Sequence, residues 1–194
     1  MTKIEFIIPT FNRPNNLMCV INSICSQRTD RWKIHVVADG PQVDGFNKVM
    51  NYFEGDERIK FTVLEKRYND WGHTPRNYGL EHATEEWVVM SGDDNYYTPV
   101  FVDHFLNAGS PNNVHFVYCD MIHNWTQCQY HHIKCQPRVG RIDIGNFMVR
   151  REYGQQMKID ITKETGDGIF VEEYLKKFPN GSIRYIEKPL YVHN

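Results

Sequence analysis

No stretch of the 194 residues stays apolar for the roughly 20 positions that a membrane-spanning helix needs. The N-terminus also lacks the charged and apolar segments of a secretory signal, which leads us to expect a cytoplasmic protein, at most peripheral to a membrane. Neither sign of charge dominates, with 22 Lys and Arg against 24 Asp and Glu for a net charge of -2. Without a basic field, nucleic acid is not an expected partner. Cysteine is scarce and odd in number: Cys19, Cys25, Cys119, Cys128 and Cys135 lack the spacing of small secreted domains. Free thiols are therefore expected. No repeat or linker divides the chain, and its length suits one domain with a core of useful size.

What is present reads as a soluble globular protein, 41% apolar and 24% charged. Ile4-Glu5-Phe6-Ile7-Ile8 is a strand stopped by Pro9. After the polar loop Thr10 to Arg13, Pro14 sits where a first helical turn accepts proline. Leu17, Val20, Ile21 and Ile24 then recur at helical spacing. "KIHVVADG" reads as a second strand, a helix lies within Phe46 to Phe53, and "RIKFTVLE" is a third strand. Thr74 to Ala83 reads as helix and Trp87-Val88-Val89-Met90 as a short buried strand. This β-α-β alternation predicts a mostly parallel sheet flanked by helices.

Beyond Pro99 the text changes to a helix ending near Ala108, a strand "VHFVYCDMI", and a polar stretch from 123 to 141. A helix over Gly168 to Phe178 aligns Phe170, Tyr174 and Phe178 on one face, with Glu172/Lys176 and Glu173/Lys177 pairs on the other. Ile183 to Glu187 and Leu190 to Val192 read as two short closing strands.

Open α/β sheets bind ligands at the carboxyl ends of their strands, and Asp39, Asp93 and Asp94 all fall just past such ends. Adjacent carboxylates repel, so Asp93 and Asp94 stay ionised together only where water, donors or a cation offsets that repulsion. A solvated turn and a metal-binding strand end both satisfy this. A structural zinc site among Cys119, His123, Cys128, His131, His132 and Cys135 is a rival focus of chemistry, yet the spacing matches no zinc module.

Five stretches in order carry a resemblance: "FIIPTFNRP", "VVADGP", "GHTPRNYGLEHATEEWVVMSGDDN", "GDGIFVEEYL" and the terminal "LYVHN". Together they resemble the inverting family 2 glycosyltransferases of the GT-A fold. The resemblance implies a single Rossmann-like GT-A domain over residues 1–194, with a nucleotide-binding half (1–98) and an acceptor-side half (99–194). It implies a nucleotide-sugar donor, a UDP-sugar, and transfer to a hydroxyl of a glycan or other acceptor. Pro9, Thr10 and Arg13 would flank the base, Asp39 would bind it, and Arg76 would lie near the base or phosphates. Asp93 would hold the ribose, while Asp94 and His193 would hold a divalent cation, with Mn²⁺ favoured over Mg²⁺ by the imidazole. Asp167 would be the base. The chain departs from the family pattern at Ala38, Ser91 and Gly166, where acids are usual.

The chemistry asks for these residue types on its own account. A leaving diphosphate gathers charge that a cation held by hard oxygens stabilises, and inversion needs a base for the acceptor proton. Plainer roles stand beside each: Asp167 as a helix cap, Asp93-Asp94-Asn95 and Asp39-Gly40 as turns, Arg76 and His193 as solvated surface. Two other functions stay open. A nucleotidyltransferase would want a glycine-rich, lysine-bearing loop after the first strand, and "PTFNRP" has neither residue. A non-catalytic nucleotide-sugar or glycan-binding module would tolerate the missing acids.

Overall fold

The computed structural model describes residues 1–124 and 129–194, so Cys128 lies outside the described residues. The first half alternates strands and helices: β1 (Ile4–Thr10), α1 (Pro14–Cys25), β2 (Trp32–Ala38), α2 (Asp44–Tyr52), β3 (Ile59–Val63), α3 (His73–Glu81) and β4 (Trp87–Met90). β1 is buried along its whole length because it is central, paired in parallel with β2 on one side and β4 on the other. β3 adds to β2 in parallel and is half-exposed at the sheet edge. The order β3-β2-β1-β4 places the reversal of winding between β1 and β4, where a crevice opens at the carboxyl ends of the strands.

Local packing explains how tightly the helices sit. α1 begins at Pro14 and buries Leu17, Val20, Ile21 and Ile24. α3 lies close to β1 because Gly79 has no Cβ, and one added there would drive into the Ile7 side chain. The buried carboxylate of Glu5 accepts the Thr84 N–H (2.7 Å) and the Glu85 N–H (3.1 Å), fixing the turn that launches β4.

The second half is β5 (Tyr96–Tyr97), α4 (Phe101–Ala108), β6 (Val114–Asn124), β7 (Tyr130–Ile133), β8 (Phe147–Arg150), α5 (Arg151–Gly154), α6 (Gly166–Lys177) and β9 (Ser182–His193). The sheet continues β4-β8-β6-β9-β5, with β7 beside the far end of β6. The parallel pattern anticipated from sequence describes β1 to β4 and the β6/β9 pair, whereas β8 joins the two halves by running antiparallel to both β4 and β6. β5, β7 and β8 carry no sequence signal of their own because they are short and their partners are remote. The two closing strands are one irregular strand, β9, with register shifts against β6 around Asp120. One continuous core runs under both halves. Its aromatic members include Phe6, Tyr97 and Phe101, whose rings stand 4.7 to 5.9 Å apart. No helix among the described residues is long and apolar enough to cross a membrane.

Candidate functional site

A cleft of about 640 Å³ opens at the carboxyl ends of β1, β2 and β4. It is lined by all nine residues singled out in the sequence: Pro9, Thr10, Arg13, Asp39, Arg76, Asp93, Asp94, Asp167 and His193. The topology explains the convergence. Pro9 and Thr10 end β1, Asp39 follows β2, and Asp93 and Asp94 follow β4, while α3, α6 and β9 bring Arg76, Asp167 and His193 from elsewhere in the chain.

The acid pair is held by two donors. Thr10 Oγ1 donates to Asp93 Oδ2 at 2.8 Å, and Arg13 Nη1 reaches Asp93 Oδ1 at 3.3 Å and Asp94 Oδ2 at 3.0 Å. Burial pushes Asp93 above the usual carboxylate range, the Thr10 hydrogen bond opposes that, and the neighbouring Asp94 charge adds to the rise. Asp94 is half-buried and Arg13 is exposed, so this arginine offsets the mutual repulsion from the solvent side.

Asp39 spans two loops. Its carboxylate accepts the N–H groups of Tyr68 (2.9 Å) and Asn69 (3.0 Å), and its own N–H donates to the Thr10 carbonyl. Gly40, at φ +85°, gives room for that approach, since a Cβ there would lie 2.5 Å from the Arg67 nitrogen. Ser91, where the family pattern has an acid, is fully buried and receives the Tyr97 hydroxyl at 2.8 Å. That position belongs to the core in this protein.

Arg76 is buried beneath the cleft. Its Nε donates to the Ser91 carbonyl (2.9 Å) and its Nη1 to the Trp71 carbonyl (2.8 Å). Burial lowers its pKa, while the surrounding carboxylates of Asp143, Asp167 and Asp94 raise it. A solvated helix role for this arginine does not match that placement.

Asp167 occupies the first turn of α6, with Thr165 at the helix boundary. Its Oδ1 accepts the adjacent Gly168 N–H at 2.7 Å. Burial pushes its carboxyl up to about 6, the charge of Asp143 pushes the same way, and the Gly168 N–H and Arg76 hold it back. Gly166 has no space for a side chain: a Cβ would meet Ile159 Cγ2 at 2.8 Å and both the Asp160 carbonyl and His73 Nε2 at 3.0 Å. The missing acid at this position is thus sterically accounted for.

Asp143 is a cleft residue with no clear marker in the sequence. Its loop has no periodicity to flag it, yet Gly145 N–H and Tyr191 hydroxyl donate to its Oδ1 at 3.0 and 2.5 Å, and His193 Nδ1 lies 3.0 Å from its Oδ2. The last contact is an ion pair off the hydrogen-bond line. Burial alone would raise Asp143, but His193, Tyr191 and Gly145 outweigh it and hold the group at about 2. Burial lowers His193, yet Asp143, Asp94 and Asp167 together raise it above its ordinary value. The short "RIDIGN" text gave one usable signal, an acid followed by a glycine, and nothing to tie it to β9.

A profile of "Glycosyl transferase family 2" matches residues 5–162. The chain belongs to that family. Family 2 relatives extend well beyond it. A Campylobacter jejuni protein, "GalNAc(5)-diNAcBac-PP-undecaprenol beta-1,3-glucosyltransferase", is 35% identical over 95 residues, covering 49% of this chain and 30% of that relative. Among solved structures, S. aureus TarS 1-349 in complex with UDP-GlcNAc superposes with a TM-score of 0.77 at 18% identity, covering 99% of this chain and 58% of the other. The mannosyltransferase PcManGT from Pyrobaculum calidifontis, in complex with GDP-Man and Mn2+, gives a TM-score of 0.75 at 15% identity, covering 98% and 56%. These structural likenesses are likenesses of the GT-A fold.

As a family 2 domain the chain offers a limited donor set for a cation. Among the described residues no three His, Cys, Asp or Glu side chains gather into a metal cage. Asp94 presents a half-buried carboxylate, and His193 uses Nδ1 against Asp143, which leaves Nε2 for another partner. One hard oxygen and one imidazole fit an ion whose remaining positions are filled by phosphate oxygens and water. Among its described residues the Cys/His segment shows no such set: Cys119 is buried in β6, His132 Nε2 sits 2.9 Å from Asp120, and the Cys135 thiol receives Asn146 Nδ2 at 3.0 Å.

Proposed function

We propose that this chain is the donor-binding and catalytic domain of an inverting glycosyltransferase that moves a sugar from a UDP-sugar to an acceptor hydroxyl. The observation that carries the reading is Asp167, a carboxyl at about 6 that lines the same cleft as the Asp93-Asp94 pair. A group that is mostly ionised near neutral pH, yet still able to take a proton, suits a general base. Its Oδ1 is engaged by the Gly168 N–H, so Oδ2 is the atom that accepts the acceptor's proton.

Residues 1–98 form the nucleotide side and residues 99–194 the acceptor side. Pro9, Thr10 and Asp39 border the base, with Asp39 already rigid through its two loop N–H partners. Asp93 receives the ribose. Arg13 moves off the acids as the donor enters. Asp94 and His193 would hold the divalent cation, Mn²⁺ rather than Mg²⁺, which would supply positive charge to offset that of a departing diphosphate. Arg76 keeps Asp143, Asp167 and Asp94 from repelling one another across the floor. The name of the Campylobacter relative includes an undecaprenol-linked glycan. An acceptor of that kind suits a cytoplasmic enzyme working at a membrane surface.

Calorimetric titration with UDP, with GDP as control, in Mn²⁺ and again after chelation tests the donor assignment. We expect UDP binding that needs the ion and collapses in Asp94→Ala. Absence of UDP binding in both conditions would overturn the assignment.

A further inference from the structure

Trp71 is the most exposed aromatic on the cleft wall. Its surface is 56% accessible, it lines the cleft, and its backbone sits at φ 57°. A bulky side chain in the left-handed region is uncommon and persists only where surrounding structure imposes it. Here the imposition is visible. The Trp71 carbonyl is held by buried Arg76 at 2.8 Å, and Gly72 follows at φ +80° with Pro9 packed where its Cβ would be. Asp70 anchors the turn by accepting both the N–H (3.0 Å) and the hydroxyl (2.5 Å) of Thr74. Strain, anchoring and a loss of apolar burial are all spent on holding an indole out in the cleft.

The indole neighbours His73, which ties it to the segment leading to Asp167. Its ring centroid lies 6.0 Å from that of His73, and His73 Nε2 lies 3.0 Å from the Lys163 carbonyl, in the segment leading through Glu164 to Asp167. The same turn adjoins the nucleotide side through Gly72 against Pro9 and the Asn69 N–H on Asp39, so the indole stands between the donor and Asp167. Pyranose rings carry a face of axial C–H groups that is weakly positive and apolar, complementary to the negative face of an indole, while their hydroxyls need polar partners at the edge. Glu164, exposed and lining the same wall, is such a partner.

We propose that Trp71 is the platform for the acceptor and that the acceptor's reacting residue is therefore a pyranose sugar, not an acyclic polyol or a protein side chain. This rests on the transferase reading above and adds the acceptor class to it. Trp71 sets specificity by stacking; it takes no part in proton transfer.

Saturation-transfer NMR on the whole chain tests this, with UDP and Mg²⁺ present to avoid paramagnetic broadening. The probes are the methyl β-pyranosides of glucose, galactose, N-acetylglucosamine and N-acetylgalactosamine, with ribitol as the acyclic control. The expected result is saturation of ring C–H protons in at least one pyranoside, none in ribitol, and a loss of roughly five- to tenfold in Trp71→Ala with the UDP signal intact. Trp71→Gly relieves the backbone and should unfold at no lower temperature than the wild type while losing the same signal, which separates stacking from stability. Equal pyranoside signals in wild type and Trp71→Ala, ribitol matching the pyranosides, or UDP binding with no pyranoside bound would each overturn the platform. Trp71-dependent pyranoside binding without UDP binding would leave the platform standing and remove the donor reading instead.

Discussion

His193 Nδ1, on the last residue of β9, lies 3.0 Å from Oδ2 of Asp143, fifty residues earlier in the chain. Both residues line the cleft. The contact also links the protonation of the histidine to that of a carboxyl held at about 2.

In the metal-free protein this pair makes stability depend on pH. Asp143 is depressed, so its contribution is present above its unfolded value of about 4 and is lost as pH falls through about 2. His193 is raised, so its contribution is complete below about 6.5 and is lost as pH rises through its folded value. His35, His73 and His115 are held below their ordinary values and work the other way over this range, so the pair is read as the stability lost in Asp143→Asn. Urea unfolding should find that loss larger at pH 5.5 than at pH 8.5, and an equal loss at both would assign the effect elsewhere.

Ionisation of Asp167 through about 6 should appear as a rising acidic limb in kcat. Asp167→Asn should lower kcat roughly 10² to 10⁴-fold and abolish the limb, while UDP affinity measured by calorimetry stays the same. Retention of full turnover in this variant would remove Asp167 from the chemistry.

Arg13 competes with any cation for the acid pair. Because its side chain is 56% exposed, the contact is weak, of the order of 0.2 to 1 kcal/mol for such pairs. Arg13→Ala should therefore tighten Mn²⁺ binding in the absence of nucleotide by about two- to fivefold, read by electron paramagnetic resonance of the free ion. Weaker binding in the variant would mean that Arg13 organises the acids for the ion.

Gly79→Ala tests the seating of α3, which carries Arg76 under the cleft. The added methyl meets Ile7 in the fully buried strand β1. Overpacking of this kind should cost roughly 1 to 3 kcal/mol in chemical denaturation and shift the midpoint accordingly. An unchanged midpoint would show that α3 can slide outward freely.

The sequence by itself determined the first half of the protein and the identity of most cleft residues. Apolar runs such as Ile4 to Ile8 and Trp87 to Met90, broken by Pro9 and by Asp93-Asp94, are local signals, and strands of a parallel sheet buried on both faces announce themselves in that way. Five short stretches in order then sufficed to point to the family. Tertiary structure decided what depends on partners distant in the chain. β8 contributes four residues between β4 and β6, and its role is set by pairing. The same holds for β9, whose register shifts bring His193 to Asp143. Nothing in the sequence singles out Trp71; its backbone is fixed by Arg76 and by Pro9 against Gly72, which meet it only in the folded chain. Carboxyl pKa values followed the same rule: residue type is written in the chain, but burial and neighbouring charge, which separate Asp167 at about 6 from Asp143 at about 2, exist only once the strands have met.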